Sequence, residues 1–336
     1  MKAIGYFASL PIDDAASLKD IEVAKPTLQP HDLLVRIGAI SVNPVDVKVR
    51  AHRAPKANQP EVLGWDAVGV VEATGATVSN FTQGDRVYYA GAINRPGTNS
   101  ELHAVDERIV AMAPTSLDDS QAAALPLTAI TAYELLFDRL GITKGGDAGK
   151  TLLVIGGAGG VGSILIQLAR QLTHLRIIAT ASREETRQWC LDLGAHAVID
   201  HSRPIAGELK GGGFGEVDYV AALTQTPQHY EQIVESLKPQ GKLAVIDDMD
   251  NLDLMKLKTK SISLHWEMMF TRSMFQTPDM AEQGRLLTEI AELVDTGRVR
   301  TTASANFGRI NAENLRRAHA HVESGQARGK IVLAGF

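Results

Sequence analysis

The chain has 336 residues, 44% of them hydrophobic and 22% charged, with a formal net charge of −5, a composition that suits a soluble globular protein of about two domains. Without a basic stripe or an aromatic-interleaved basic patch, nucleic acid is excluded as a partner, and no apolar run reaches the roughly 20 residues of a membrane helix, so no membrane partner is expected. The opening stretch MKAIGYFASLPIDDAA holds one lysine and soon turns acidic, which is no signal peptide and implies a cytoplasmic location.

Up to residue 125 the chain carries short β-like segments at 33–40, 67–73, 86–90 and 100–105, punctuated by Gly75 and by Gly84-Asp85, and so reads as a β-rich domain. Strands at 152–155, 176–181, 197–199, 217–222, 242–246 and 261–265 then alternate with helices at 161–172, 184–193 and 228–237. That order predicts a doubly wound parallel sheet. Helices at 280–296 and 312–323 and a strand at 330–333 close the chain. The fold class is therefore α/β, with a Rossmann domain over 128–272 and a β-rich domain assembled from 1–127 and 273–336. Cys190 is the only cysteine, so an internal disulfide and a four-cysteine zinc site are both excluded, and its place in a helical stretch reads as a small buried hydrophobe.

The stretch TLLVIGGAGGVGSILIQLARQL at 151–172 runs a short apolar strand through a glycine turn into an amphipathic helix. Gly157, Gly159 and Gly162 have G-x-G-x-x-G spacing: the first for the tight turn, the second for close approach of a pyrophosphate, the third for packing of helix on strand. With Ala158, Gly160 and Val161 they form a cofactor-binding turn, the phosphates lying at the helix N-terminus. The second strand ends in Ala181-Ser182-Arg183, where a chain that binds NAD carries an Asp or Glu for the ribose 2′-hydroxyl. Ser182 and Arg183, with Arg187 one turn further on, suit a 2′-phosphate instead, which predicts NADP(H).

The chain resembles the medium-chain dehydrogenase/reductase superfamily, in its quinone oxidoreductase branch, and among these the bacterial zinc-type alcohol dehydrogenase-like proteins. The resemblance rests on SVNPVDVK (41–48), LGWDAVGVVEATG (63–75), GDRVYYAG (84–91), NRPGTNSE (94–101), LPLTAITAYE (125–134), GGAGGVG and TASREET (180–186), and it spans essentially the whole chain. It implies that the β-rich domain is GroES-like and that the protein is a homodimer paired along the strand at 261–265. Zinc alcohol dehydrogenases take their catalytic ligands from a Cys, a Gly-His-Glu and a second Cys. Here the matching stretches read Asn43, Gly64-Trp65-Asp66 and Leu127, a set without a soft ligand, so no zinc is expected.

Without a Lewis acid, simple alcohol oxidation fits poorly. Hydride transfer to a conjugated acceptor, a quinone or an α,β-unsaturated carbonyl, needs only donors that hold the developing oxyanion. By family position, the catalytic candidates are Asn43, Asp46, Lys48 and Thr131. Tyr89, Asn94, Trp266 and Phe270 are candidates for contact with the small-molecule substrate, with Arg95 beside them, and His201 for the adenosine phosphate. A zinc-type dehydrogenase acting on alcohols or aldehydes, and a non-catalytic NADPH-binding redox sensor, are the alternatives.

Overall fold

A computed structural model describes residues 1–57 and 59–336, in two compact units, Met1–Ile130 with Phe270–Phe336, and Thr131–Met269. The first unit opens with β1 (Lys2–Tyr6), β2 (Lys19–Glu22), β3 (Asp32–Val42), α1 (Pro44–His52), β4 (Glu61–Val62), β5 (Asp66–Thr74), β6 (Arg86–Ala90), β7 (Leu102–Asp106), β8 (Val110–Met112), α2 (Asp119–Ala123) and α3 (Pro126–Tyr133), the last of which runs into the second unit. β1 is flanked by β2 and β4 in a small antiparallel sheet, whereas β3 pairs antiparallel with both β5 and β7. Residues 44–52 show no helical hydropathy period, yet they form α1. Pro44 takes the first helical position, and the Asp46 carboxylate accepts the Asn43 N–H at 2.6 Å, so local chemistry starts the helix.

The second unit continues with β9 (Thr151–Ile155), α4 (Gly160–Leu172), β10 (Arg176–Thr180), α5 (Glu184–Asp192), β11 (Ala197–Ile199), α6 (Ile205–Gly211), β12 (Val217–Ala222), α7 (Thr226–Ser236), β13 (Leu237–Val245), α8 (Met255–Lys258) and β14 (Ser263–Trp266). Its six strands are all parallel, in the order β11-β10-β9-β12-β13-β14. All five residues of β9 are buried, as a strand covered on both faces requires. Leu153, Ile155, Ile178, Val220, Ile233, Leu243 and Val245 belong to one core cluster, each contributing roughly 1.5–3 kcal/mol by burial. The strand order reverses between β9 and β12, which sets the glycine turn after β9 at the switch point where open α/β sheets bind ligands.

The chain then returns to the first unit through α9 (Thr271–Phe275), α10 (Glu282–Asp295), β15 (Ala303–Asn306), α11 (Ala312–Glu323) and β16 (Lys330–Ala334). β16 pairs antiparallel with β3, Ile331 opposite Val42 and Val332 opposite Ser41, and completes a sheet ordered β15-β16-β3-β5-β6-β8. This register brings Lys330 against the end of β3.

Candidate active site and nucleotide turn

In the second unit, Gly159 N–H donates to the Gly156 carbonyl at 3.1 Å and α4 starts at Gly160. The left-handed conformation falls on Gly156 (φ 82°), not on Gly157, where the motif spacing had put the tight turn. Gly157 instead serves packing: a Cβ there would lie 2.8 Å from the Ala179 Cβ and 3.1 Å from the Cys190 Sγ. At Gly162 it would lie 2.4 Å from the Gly156 carbonyl oxygen and 2.7 Å from the Gly157 Cα, so helix and turn are in backbone contact. At Gly159 it would meet only the Gly156 oxygen, at 3.4 Å. The middle glycine thus faces open space. Beside it Ala158, Gly160 and Val161 are partly exposed, and the first N–H groups of a helix have no partner within it. Room and donors for a pyrophosphate are both present, so the turn fits a dinucleotide. The Thr180 hydroxyl, which motif spacing does not single out, accepts the Gly156 N–H at 3.1 Å and ties the turn to the end of β10.

Ser182 and Arg183 are exposed just past β10, and Arg183 is the N-cap residue of α5. Arg187 N–H donates to the Arg183 carbonyl at 2.9 Å, and the Arg187 guanidinium stands 3.8 Å from Glu184. His201 is partly buried, its ring edge-on to His229 at 6.0 Å, with Nδ1 buried and without a hydrogen-bond partner among the described residues. Cys190 is fully buried, and burial pushes its thiol up to about 12, so it is a packing residue.

The first unit holds a buried polar cluster at the end of β3. The Asp66 carboxylate accepts four hydrogen bonds: from Ser41 Oγ at 2.7 Å, Asn43 Nδ2 at 2.8 Å and Lys330 Nζ at 3.1 Å on one oxygen, and from Leu127 N at 2.7 Å on the other. Lys330 Nζ also donates to the Val42 carbonyl at 3.1 Å and to Asn43 Oδ1. Ser41, Asn43, Asp46, Asp66 and Lys330 are each at most 3% exposed. Burial pushes the Asp46 carboxyl up to about 7, against the pull of the Asn43 N–H and the Lys330 ammonium, while the nearby Asp66 adds to the rise. Gly64, just before Trp65, has φ 94°, and a Cβ there would lie 2.4 Å from Asn99 Oδ1, so this turn requires glycine. Trp65 points its indole N–H to the Ala92 carbonyl at 3.3 Å and packs edge-on against Phe270, ring centroids 5.6 Å apart.

Several candidates lie elsewhere. Lys48 is exposed on α1, and the cation buried against Asn43 and Asp66 is Lys330, which the sequence reading missed. Tyr89 is fully buried with its hydroxyl 3.0 Å from His103 Nδ1, so it belongs to the core rather than to a substrate-facing surface. Burial pushes His103 down to about 4. Arg95 grips buried Asp32 with two hydrogen bonds, at 2.8 and 2.7 Å, and is structural as well. Asn94 is exposed, Phe270 is buried, Thr131 is buried on α3, and Trp266, closing β14, is 54% exposed.

A second buried group in the Rossmann unit also escaped the sequence reading. Past α3 a π-helical turn spans Glu134–Arg139, a conformation often found at functional sites. Arg139 Nε donates to Glu267 Oε2 at 2.8 Å, and its guanidinium stands 3.8 Å from Glu134. Burial raises the Glu267 carboxyl well above the usual range, and the neighbouring Glu134 carboxyl adds to the rise.

Residues 29–115 match the alcohol dehydrogenase GroES-like domain and 193–333 the zinc-binding dehydrogenase family. A zinc-type alcohol dehydrogenase-like protein of Staphylococcus epidermidis is 40% identical over 336 residues, covering 99% of each chain. The chain belongs to the medium-chain dehydrogenase/reductase superfamily. Within this superfamily, a Rhizobium etli CFN 42 protein assigned to the zinc-dependent alcohol dehydrogenases superposes with a TM-score of 0.97 at 54% identity, over 100% of this chain and 98% of that one. A mycobacterial protein complexed with NADPH superposes with a TM-score of 0.85 at 26% identity, over 99% of each chain.

The family description raises zinc, and the donor set here does not fit it. At the matched positions Asn43 offers an amide, Trp65 an indole that only donates, and Leu127 a backbone N–H already given to Asp66. The Asp66 carboxylate is saturated by four donors, among them the chain's own ammonium. Zinc takes Cys or His ligands in most sites, and a hydrogen-bonded carboxylate facing a lysine is no substitute.

Proposed function

We propose that the protein is an NADPH-dependent reductase that transfers hydride to quinones or α,β-unsaturated carbonyls without a catalytic metal. The observation that carries this reading is the Lys330–Asp66–Asn43 cluster, in which Asn43 and Asp66 stand on the stretches that match the zinc-ligand segments of the family and Lys330 reaches them from β16. A conjugated acceptor suits such a site because the charge that arrives with the hydride moves onto an oxygen, where hydrogen-bond donors in a dry environment hold it.

When bound, the reduced dinucleotide supplies the hydride; the chain binds, orients and excludes water. The turn at Gly157, Ala158, Gly159, Gly160, Val161 and Gly162 would hold the pyrophosphate on the N–H groups of α4. Ser182, Arg183 and Arg187, with His201 further along, would hold the 2′-phosphate. The mycobacterial structure complexed with NADPH supports the cofactor preference, and a tomato 2-methylene-furan-3-one reductase 29% identical over 93% of this chain supports a conjugated acceptor. Asn43 would donate to the acceptor oxygen, and Asp46, half-protonated near neutral pH, would hold a proton within the same cluster. The protein would act as a homodimer joined along the sheet edge at β14, which among the described residues pairs only with β13.

Steady-state oxidation of NADPH with quinones, alkenals and saturated aldehydes tests the reading. Turnover confined to saturated aldehydes and abolished by a chelator would replace it with a zinc-type dehydrogenase.

A further inference from the structure

Lys330 is 3% exposed and spends its ammonium on three acceptors: the Val42 carbonyl, Asp66 Oδ2 and Asn43 Oδ1. A buried ion pair is weak evidence for stability, because apolar residues of similar volume hold a fold as well or better. Its geometry does something that a Met–Leu pair would not. The carboxamide of Asn43 sits between opposite charges, with its oxygen on the Lys330 ammonium and its Nδ2 on the Asp66 carboxylate. Turning the amide over would set NH₂ against ammonium and oxygen against carboxylate, two repulsions in a dry environment where charge acts strongly. One orientation is therefore imposed. An amide has two N–H groups, and Asp66 takes one of them; the cation on the oxygen polarises the other into a stronger donor. Lys330 also neutralises Asp66, whose unbalanced charge would oppose any negative charge developing on a nearby oxygen.

We infer that Lys330 is a positioning residue: through Asn43 it sets the orientation and polarity of the donor that meets the acceptor oxygen, and by cancelling Asp66 it keeps the cluster receptive to an oxyanion. This rests on the reductase reading above. It assigns a mechanistic role to a lysine that lies 287 positions from Asn43 in sequence.

The test uses the full-length enzyme and three variants: Lys330→Gln, which keeps an N–H donor without charge, Lys330→Met, and Lys330→Met with Asp66→Asn, which removes both charges together. Melting temperature, NADPH affinity by nicotinamide fluorescence, and kcat and KM for a quinone and an enone are measured for each. Lys330→Met alone strands a buried carboxylate and melts early. The double variant is expected to regain the melting temperature and wild-type NADPH affinity while kcat remains about 10- to 100-fold low with little change in KM. Lys330→Gln should lose kcat in the same direction. A double variant or a Lys330→Gln enzyme with wild-type kcat overturns the inference and leaves the pair structural. Wild-type protein that binds NADPH but turns over no quinone or enone sinks the reductase reading itself, and this inference with it.

Discussion

Two glycines of the same turn should both weaken NADPH binding when replaced by alanine, but only one of the replacements should destabilise the fold. Gly159 is in the extended region (φ −71°, ψ 176°), which any residue adopts, and its added Cβ would touch only the Gly156 oxygen at 3.4 Å. Gly159→Ala should leave stability within about 0.5 kcal/mol of wild type. It would, however, place a methyl where a pyrophosphate approaches. Crowding of a close contact costs about 1–3 kcal/mol, which raises the NADPH Kd by about 5- to 150-fold. At Gly162 the Cβ would collide with backbone, at 2.4 Å from the Gly156 oxygen and 2.7 Å from the Gly157 Cα, atoms that cannot rotate away. Gly162→Ala gains about 1 kcal/mol of helix propensity but forces helix and turn apart at about 3 kcal/mol or more. Net destabilisation of about 2 kcal/mol and weaker cofactor binding are expected together. Thermal melting and isothermal titration with NADPH separate the two variants. If Gly159→Ala bound NADPH as tightly as wild type, the assignment of this turn to the pyrophosphate would be wrong.

Replacing Ser182 by Asp and Arg183 by Ala should lower the NADPH-over-NADH ratio of kcat/KM by about tenfold or more, since a charge-assisted contact of about 1.5 kcal/mol is lost and a repulsive carboxylate gained; an unchanged ratio removes both residues from the phosphate site. His319 is fully buried with neither ring nitrogen hydrogen-bonded to a described residue, and burial, aided by the Arg50 charge, holds it down to about 3. The unfolded chain then takes up a proton that the folded one refuses, so stability falls as pH drops below about 6.5, and the loss between pH 7 and pH 5 is about 2 kcal/mol. His319→Leu should cancel that slope in denaturant titrations at the two pH values, and parallel curves would refute it. Glu267 has the opposite sign: its carboxyl is held above the usual range, so stability present in acid is lost as pH rises, and Glu267→Gln should gain on wild type from pH 5 to pH 9. A variant that loses ground over that range would show that Glu267 is ionised when folded.

The Rossmann unit was legible in the sequence because its signals are local. β9 is an unbroken apolar run, the glycines follow at fixed spacing, and the segments 197–199 and 217–222 match β11 and β12. Short polar strands such as β2 and β15, with four residues each, carry no period for a sequence reading to find. They exist because β1 and β16 offer them an edge. The Asn43, Trp65 and Asp66 cluster was half visible, since those positions fall in recognisable motifs. Lys330 was not, because a lysine opening a strand reads as a solvated charge until β16 is set in register beside β3. Tyr89 misled for a related reason: its motif places it on β6, but only packing against His103 shows that it faces inward.

The most direct test of the account is NADPH consumption by chelator-treated protein with an o-quinone, a p-quinone, an alkenal and a saturated aldehyde, run in parallel with NADH and with metal content measured on the same sample. Turnover on quinones or the alkenal that prefers NADPH and persists after chelation is expected, with less than one equivalent of zinc per chain. Activity only on the saturated aldehyde, lost on chelation and restored by stoichiometric zinc, would contradict it.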